Sequence, residues 1–395
     1  MAVSSTHSSI LWRQVWGLAA ILAAVLISLM IYGFHQSSIL MELGFTQFAA
    51  TLGILQGLMG AVIEPSVGAL SDRILNRFGS RLPQITVGVT LAGLLFVLIA
   101  ILLPVNVPVG LRWLFPILMS FWLAAMITIR GPVVALLRQL APTEELPIAN
   151  GILILVLGIV GACGPLLDYG FKRLGAPFSF MLGAVLLVIG ATLLYRTMPS
   201  HCVPNGAVVS SIVPIQRNYN RVLLLITLVG MSTALEINLL LSVFMPRLQT
   251  FIPQLEVAIV SAIALLIAAI TANPLGWLTR RWGAVTAMQV GLGTFVVLMA
   301  IALFPLNFPG AIALLLGFGT AFGLVFISMV PFALSFVPFH QTGLSTGLYF
   351  GGSSAGTVIF LVLKQLFNPM NIVNGIGVAA IALVVALICL QLCDS

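Results

Sequence analysis

The sequence predicts an all-α membrane protein, with twelve transmembrane helices in two pseudo-symmetric six-helix bundles. Three observations lead there. Of the 395 residues, 61% are hydrophobic and only 6% charged, and the mean hydropathy is +1.20; a soluble protein carries about one quarter charged residues. The apolar residues fall in runs close to the roughly 20 that one membrane-spanning helix needs. A stretch without that pattern, residues 197–220, separates six such runs from six more.

The first run, near residues 12–34, exceeds the apolar core of a signal peptide, and Tyr32-Gly33-Phe34-His35-Gln36 is a poor cleavage site, so it reads as a retained anchor. The second, 45–70, stops at Ser71-Asp72-Arg73, and the third, 83–104, starts at Pro83 beyond Arg81. Arg112 and Arg138 sit at the two ends of the fourth, 111–139. The fifth, 147–170, lies between Glu144-Glu145 and Lys172-Arg173, and the sixth, 174–196, ends at Arg196. Residues 197–220 then gain Pro, Ser, Asn and Gly, as a connecting loop does. The seventh run, 221–247, lies between Arg221 and Arg247, and the eighth, 254–279, ends at Arg280-Arg281. The ninth, 285–306, begins beyond Gly283; the tenth, 309–337, runs from Pro309 to Pro338. The eleventh, 341–366, is rich in glycine, and the twelfth, 369–392, follows Asn368-Pro369. The division is therefore an N-terminal bundle, 1–196, a central cytoplasmic loop, 197–220, and a C-terminal bundle, 221–395.

The halves echo each other. Gly68-Ala69-Leu70-Ser71-Asp72-Arg73 after the second run has a degenerate partner in Gly276-Trp277-Leu278-Thr279-Arg280-Arg281 after the eighth, and Asn150-Gly151 has one in Thr346-Gly347. A duplicated unit is expected, with the acidic member kept only in the first copy. If the N-terminus lies inside, Arg13, Arg73, Arg77, Arg81, Arg138, Arg196, Arg217, Arg221, Arg280 and Arg281 fall on the cytoplasmic side. Only Arg112, Lys172, Arg173, Arg247 and Lys364 fall outside, so both termini are expected in the cytoplasm of a plasma or inner membrane. The pI near 9.8 does not point to nucleic acid, because the chain has only two lysines and its arginines border apolar runs rather than forming a stripe.

Cys163, Cys202, Cys389 and Cys393 lack metal-ligand spacing and read as small packing residues, and His7, His35, His201 and His340 are too scattered for a site. No phosphate-binding loop or hydrolase triad is present, so neither an enzyme nor a cofactor is expected.

Charge is concentrated from the last turns of the second run to the start of the third, at Glu64, Asp72, Arg73, Arg77 and Arg81. Twelve spans, a central loop and this Gly-x-Leu-x-Asp-Arg signature make the chain resemble the major facilitator superfamily over nearly its whole length. The lengthened segment up to Phe78-Gly79-Ser80-Arg81-Leu82-Pro83 is similar to the glycoside-pentoside-hexuronide and sucrose transporter branch, with Ser80 and Leu82 where that branch has arginines. The superfamily resemblance implies that Gly68 lets the second helix approach the eleventh near Gln341-Thr342-Gly343. It also implies that Asp72, Arg73, Arg77 and Arg81 form an interdomain latch, with Asp72 at a helix N-terminus. The alternative is that the arginines merely anchor the loop on the positive side.

Ionisable groups at membrane depth cost about 2.5–3.5 kcal/mol each even on a lenient scale, so each calls for a reason. Glu64 precedes Asp72 by eight residues and Arg130 precedes Arg138 by eight, which puts both about 12 Å inward at 1.5 Å per residue. They are expected to pair, either as a static brace or as a pair that opens during transport or meets a charged ligand. Glu236 lies near mid-membrane in the seventh run with no evident partner. A carboxyl there can take up and release a proton as access changes or bind substrate, the alternative being a neutral, hydrogen-bonded packing residue, and Asn238 beside it can hold a substrate group. Tyr349, Ser353 and Ser354 in the eleventh run, and Tyr32, Gln36, Gln56 and Gln289, are further candidates for the cavity lining.

The expected function is a secondary active transporter that moves a small solute by alternating access, proton-coupled and sugar-like in substrate, working as a monomer among membrane lipid. Arg130-Gly131-Pro132 and the run Gly158 to Gly170 resemble motifs of proton-driven antiporters, which makes a drug or metabolite exporter the first alternative. A pigment-delivery or assembly factor of a photosynthetic membrane is the second, since bacteriochlorophyll-delivery relatives also have a lengthened loop.

Overall fold

The computed structural model describes residues 10–105, 108–198, 219–367 and 370–394, and every regular element among them is helical. Most of the loop at 197–220, with Cys202, His201 and Arg217, lies outside the described residues, as does His7. Among the described residues, twelve helical spans are long and apolar enough to cross a membrane. The first six are Trp12–Glu42, Thr51–Phe78, Leu82–Leu102, Val109–Leu140, Thr143–Ala162 and Ala176–Thr197. The last six are Tyr219–Gln249, Val257–Trp282, Ala284–Ile301, Phe308–Ser335, Phe339–Leu366 and Ile372–Cys393.

Three expectations need correction. The first helix continues two turns past residue 34, so His35 is buried inside it rather than near its end. The second helix runs straight through the charged signature to Phe78, so Asp72, Arg73 and Arg77 stand on a helix and not in a loop. It stops at Gly79, whose left-handed φ of 68° is open to a residue without Cβ. The fifth run is broken at Cys163: one segment ends at Ala162 and a second, Gly164–Leu174, starts with Pro165 in its first turn, where proline's missing N–H costs nothing.

The first six helices pack among themselves, first on sixth, third on fourth and sixth, and second on fourth; the last six do likewise, seventh on eleventh and twelfth, and tenth on eighth and ninth. In the first set Trp122 of the fourth helix is fully buried, stacked on Tyr32 of the first (ring centroids 4.6 Å apart) and Phe96 of the third (4.2 Å). Outward faces carry exposed apolar side chains such as Val87, Phe121, Val188 and Ile381. That surface suits hydrocarbon and not water.

Two seams join the sets, second helix on eleventh and fifth on eighth. Both depend on small residues. A side chain at Gly68 would run into the Gly343 carbonyl, one at Gly347 into the Glu64 carbonyl, and one at Gly276 to within 3.0 Å of the Pro147 carbonyl. With little hydrophobic drive between helices in lipid, such close backbone approach is what dispersion and packing can exploit.

Prolines open specific places in this scaffold. Pro331 has no N–H for the Ile327 carbonyl four residues earlier. Asn150 of the fifth helix supplies the missing donor, its Nδ2 donating to Ile327 O at 2.9 Å and Phe326 O at 3.1 Å. In the seventh helix a π turn over Leu240–Phe244 comes just before Pro246, which likewise cannot donate.

Candidate functional site

The end of the bundle at which the first helix starts and the twelfth ends is fastened by a buried polar knot. Asp72 projects from the last turns of the second helix onto the N-terminus of the eleventh. Its Oδ1 accepts from the Gly343 N–H at 2.8 Å and its Oδ2 from the Leu344 N–H at 2.7 Å. These are donors that a helix start leaves without intrahelical partners, and the macrodipole adds to their attraction for a carboxylate. Arg81 is fully buried behind it and donates through Nη2 to Asp72 Oδ1 (2.7 Å) and Thr342 Oγ1 (2.7 Å), and through Nη1 to Ser71 Oγ (2.6 Å). Burial lowers the Arg81 pKa from its ordinary value, while Asp72 works in the opposite sense.

Arg73 and Arg77 do not join the knot. Both are exposed, and the Arg77 guanidinium lies over Phe78 of its own helix. Ser71 and Thr342, which the sequence did not single out, do join it. The second seam has a looser counterpart, in which Arg280, in the repeat of the signature, approaches Glu145 at the start of the fifth helix at 3.7 Å. The acid missing from the second copy of the repeat is thus met by the opposite half.

Deeper in, Glu64 and Arg130 meet as the sequence suggested, Arg130 Nη2 donating to Glu64 Oε1 at 2.6 Å. The same carboxylate oxygen accepts from Ser354 Oγ of the eleventh helix at 3.2 Å, so the pair reaches across the seam. Gly60 makes room for Ser354, since a side chain there would press on its hydroxyl. The Arg130 guanidinium also lies 4.5 Å from the centre of the Phe350 ring, a cation–π contact.

Two chambers open on Arg130. The larger, about 330 Å³, is walled from both halves by apolar side chains such as Leu22, Leu157, Leu265, Phe326 and Phe350; its polar lining residues are Arg130 and Asn150 alone. The smaller, about 110 Å³, holds Gln56, Glu64, Arg130 and Ser354 among its lining residues. Gln56 closes its far side, donating to Tyr32 Oη at 2.5 Å and accepting from Gln36 Nε2 at 3.3 Å. Gln289 is remote from this group, on the ninth helix.

Glu236, Asn238 and Tyr349 stand apart from both chambers. Glu236 is fully buried, and among the described residues neither carboxylate oxygen has a hydrogen-bond partner. Asn238 donates to Ala234 O (2.8 Å) and to Thr357 Oγ1 of the eleventh helix (3.1 Å). Tyr349 is buried, its hydroxyl without a hydrogen-bond partner among the described residues and its ring edge-on to Phe350. Among the described residues no group of three or more His, Cys, Asp or Glu side chains is placed to hold a metal ion.

A family model described as Major Facilitator Superfamily matches residues 77–361. Among solved structures, a bacterial homologue of the iron transporter ferroportin in an outward-facing state superimposes with a TM-score of 0.66 at 16% identity, over 96% of this chain and 98% of that one. The human organic anion transporter MFSD10 (TETRAN) gives 0.70 at 13% identity, over 96% and 99%. The ferroportin homologue with soaked iron gives 0.69 at 16% identity, over 98% and 100%. No curated protein matches the sequence. Identities this low speak to the fold alone.

Proposed function

The chain belongs to the Major Facilitator Superfamily, and from that premise we propose that it is a secondary active transporter that carries a small organic solute by alternating access. The observation that carries this reading is the larger chamber. It lies between the first six helices and the last six, takes its walls from both, and falls in the range of about 300–1,000 Å³ usual for ligand sites. The knot of Asp72, Arg81 and Thr342 then acts as the latch of one closed end, taken to be the cytoplasmic end, and its release with the Arg280–Glu145 contact would open the chamber there. The coupling ion in this reading is the proton, with Glu236 as a carrier in the last six helices.

A sugar finds little support in the lining, because its hydroxyls require many buried donors and acceptors and the larger chamber has only two polar residues. An exporter of apolar metabolites or drugs, the alternative from the same fold, fits that lining better.

Alternating access is tested without knowing the solute. In a background with the four native cysteines replaced, Leu157→Cys places one thiol in the larger chamber. Reconstituted in vesicles, it should react with a membrane-impermeant maleimide supplied from either side. Reaction from one side only, under all pH gradients, refutes the proposal.

A further inference from the structure

We propose that the substrate is an amphipathic organic anion, whose charged group takes Arg130 from Glu64 while its apolar body fills the larger chamber. This rests on the transport reading above and adds the chemistry of what is carried.

The two chambers differ in character and both are lined by Arg130. An occupant that uses both has a polar head in the smaller and a greasy body in the larger. Of the two polar residues of the larger chamber, Asn150 already spends its amide N–H groups on the Phe326 and Ile327 carbonyls. Arg130 is the group left to orient a ligand. Its side chain is 35% exposed although it sits inside a membrane-spanning helix, and that exposure is toward the chambers it lines. A guanidinium has five N–H donors in a fixed fork suited to a carboxylate or sulfonate. Among the described residues Arg130 makes one hydrogen bond, from Nη2 to Glu64, so the remaining donors are available to an anion.

The exchange has a consequence for the seam. Glu64 Oε1 holds both Arg130 and Ser354, and therefore ties the fourth helix to the eleventh. When a substrate anion occupies the guanidinium, Glu64 loses its counter-charge beside a second negative group, and a proton from the open side restores neutrality. The pair is a net zero before the exchange (Arg130 cation, Glu64 anion) and the site is a net zero after it (Arg130 cation, substrate anion, protonated Glu64). Occupancy is thus read by the carboxyl that bridges the second, fourth and eleventh helices.

The test uses one apolar body with three heads, 4-phenylbutyrate, 4-phenylbutanol and 4-phenylbutylamine, titrated against the purified full chain in detergent by calorimetry. The carboxylate should bind, and the alcohol and amine should not. Glu64→Gln, which frees the guanidinium, should tighten 4-phenylbutyrate by roughly tenfold, in line with the strength of charge-assisted pairs. The double variant Glu64→Gln/Arg130→Gln leaves no lone buried charge and should lose carboxylate binding while staying folded. Equal binding of all three heads, binding of none, or an affinity unmoved by Glu64→Gln overturns the substrate class. If those results come with two-sided labelling of Leu157→Cys, the substrate class fails alone. Carboxylate binding with one-sided labelling sinks the transport reading instead.

Discussion

Asp72 caps a helix that belongs to the other half of the chain: its carboxylate accepts from the first free N–H groups of the eleventh helix, at Gly343 and Leu344, 271 and 272 positions away. Arg81 lies behind it with no exposure at all. Replacing Asp72 with Asn would leave that guanidinium buried without a counter-charge, a situation that costs about 3–5 kcal/mol. The counterpart in the other seam, Arg280 with Glu145, is longer and about one-third exposed on each side, and such pairs are worth about 0–1 kcal/mol. Asp72→Asn should therefore lower the melting temperature in detergent sharply and Arg280→Ala hardly at all. Equal losses would show that the two seams carry the closed state together.

The Asn150 amide stands in for a backbone donor that Pro331 removes from the tenth helix. Asn150→Leu deprives the Ile327 carbonyl of its partner, and a buried unsatisfied acceptor costs about 1–3 kcal/mol. Pro331→Ala restores an N–H four residues on. The double variant should consequently be less destabilised than Asn150→Leu alone, a coupling measurable as a double-mutant cycle in thermal or denaturant melts. Strict additivity would mean that Asn150 acts through something other than the Ile327 carbonyl.

These two features mark how far the sequence could be read. Twelve spans were legible because hydrocarbon demands runs of apolar residues, and the Glu64–Arg130 pair because two charges at one depth must find each other. Ser71 and Thr342 were not, since a hydroxyl beside an apolar run is ordinary and only the folded seam puts both on Arg81. The signal for Asn150 was available in principle, as a polar residue within an apolar run upstream of no local partner. Its role depends on a proline 181 positions later, which no periodicity reports. The end of the second helix is not legible from charge, because Asp72 and Arg73 suggest a stop at residue 70 whereas a helix that emerges from the membrane continues until Gly79 turns it.

Gly347 tests the seam sterically. A side chain there would collide with the Glu64 carbonyl and press to 3.2 Å from the Gly68 Cα, backbone atoms that cannot move aside singly. Gly347→Ala should cost about 1–3 kcal/mol, as overpacking does. On the transport reading, release of the latch parts the second and eleventh helices, so Gly347→Ala should also raise labelling of Leu157→Cys from that end. Gly131, in the fourth helix, has nothing within 4 Å of where a side chain would begin. Gly131→Ala should leave stability unchanged or raise it by about 0.5–1 kcal/mol through helix propensity. A loss at Gly131 as large as at Gly347 would point to a general sensitivity of the helices to added bulk.

Among the described residues Glu236 has no hydrogen-bond partner to lose. It is wholly buried in the seventh helix, and neither oxygen is hydrogen-bonded among the described residues. Glu236→Gln keeps the shape and removes the titratable proton, so a packing role predicts little change in stability and no change in pH response. The coupling role predicts the same stability with a different pH response. In the parent carrying Leu157→Cys, the ratio of labelling from the two sides, compared at one pH on the labelled side so that the thiolate fraction is held fixed, should vary with pH as the proton-loaded and proton-free chains favour different ends. Glu236→Gln should flatten that dependence, whereas Glu64→Gln should leave it in place and instead alter the affinity for 4-phenylbutyrate. If labelling in the Glu236→Gln variant still follows pH as in the parent, the proton that governs access resides elsewhere, and the Glu64–Arg130 pair becomes the place to look.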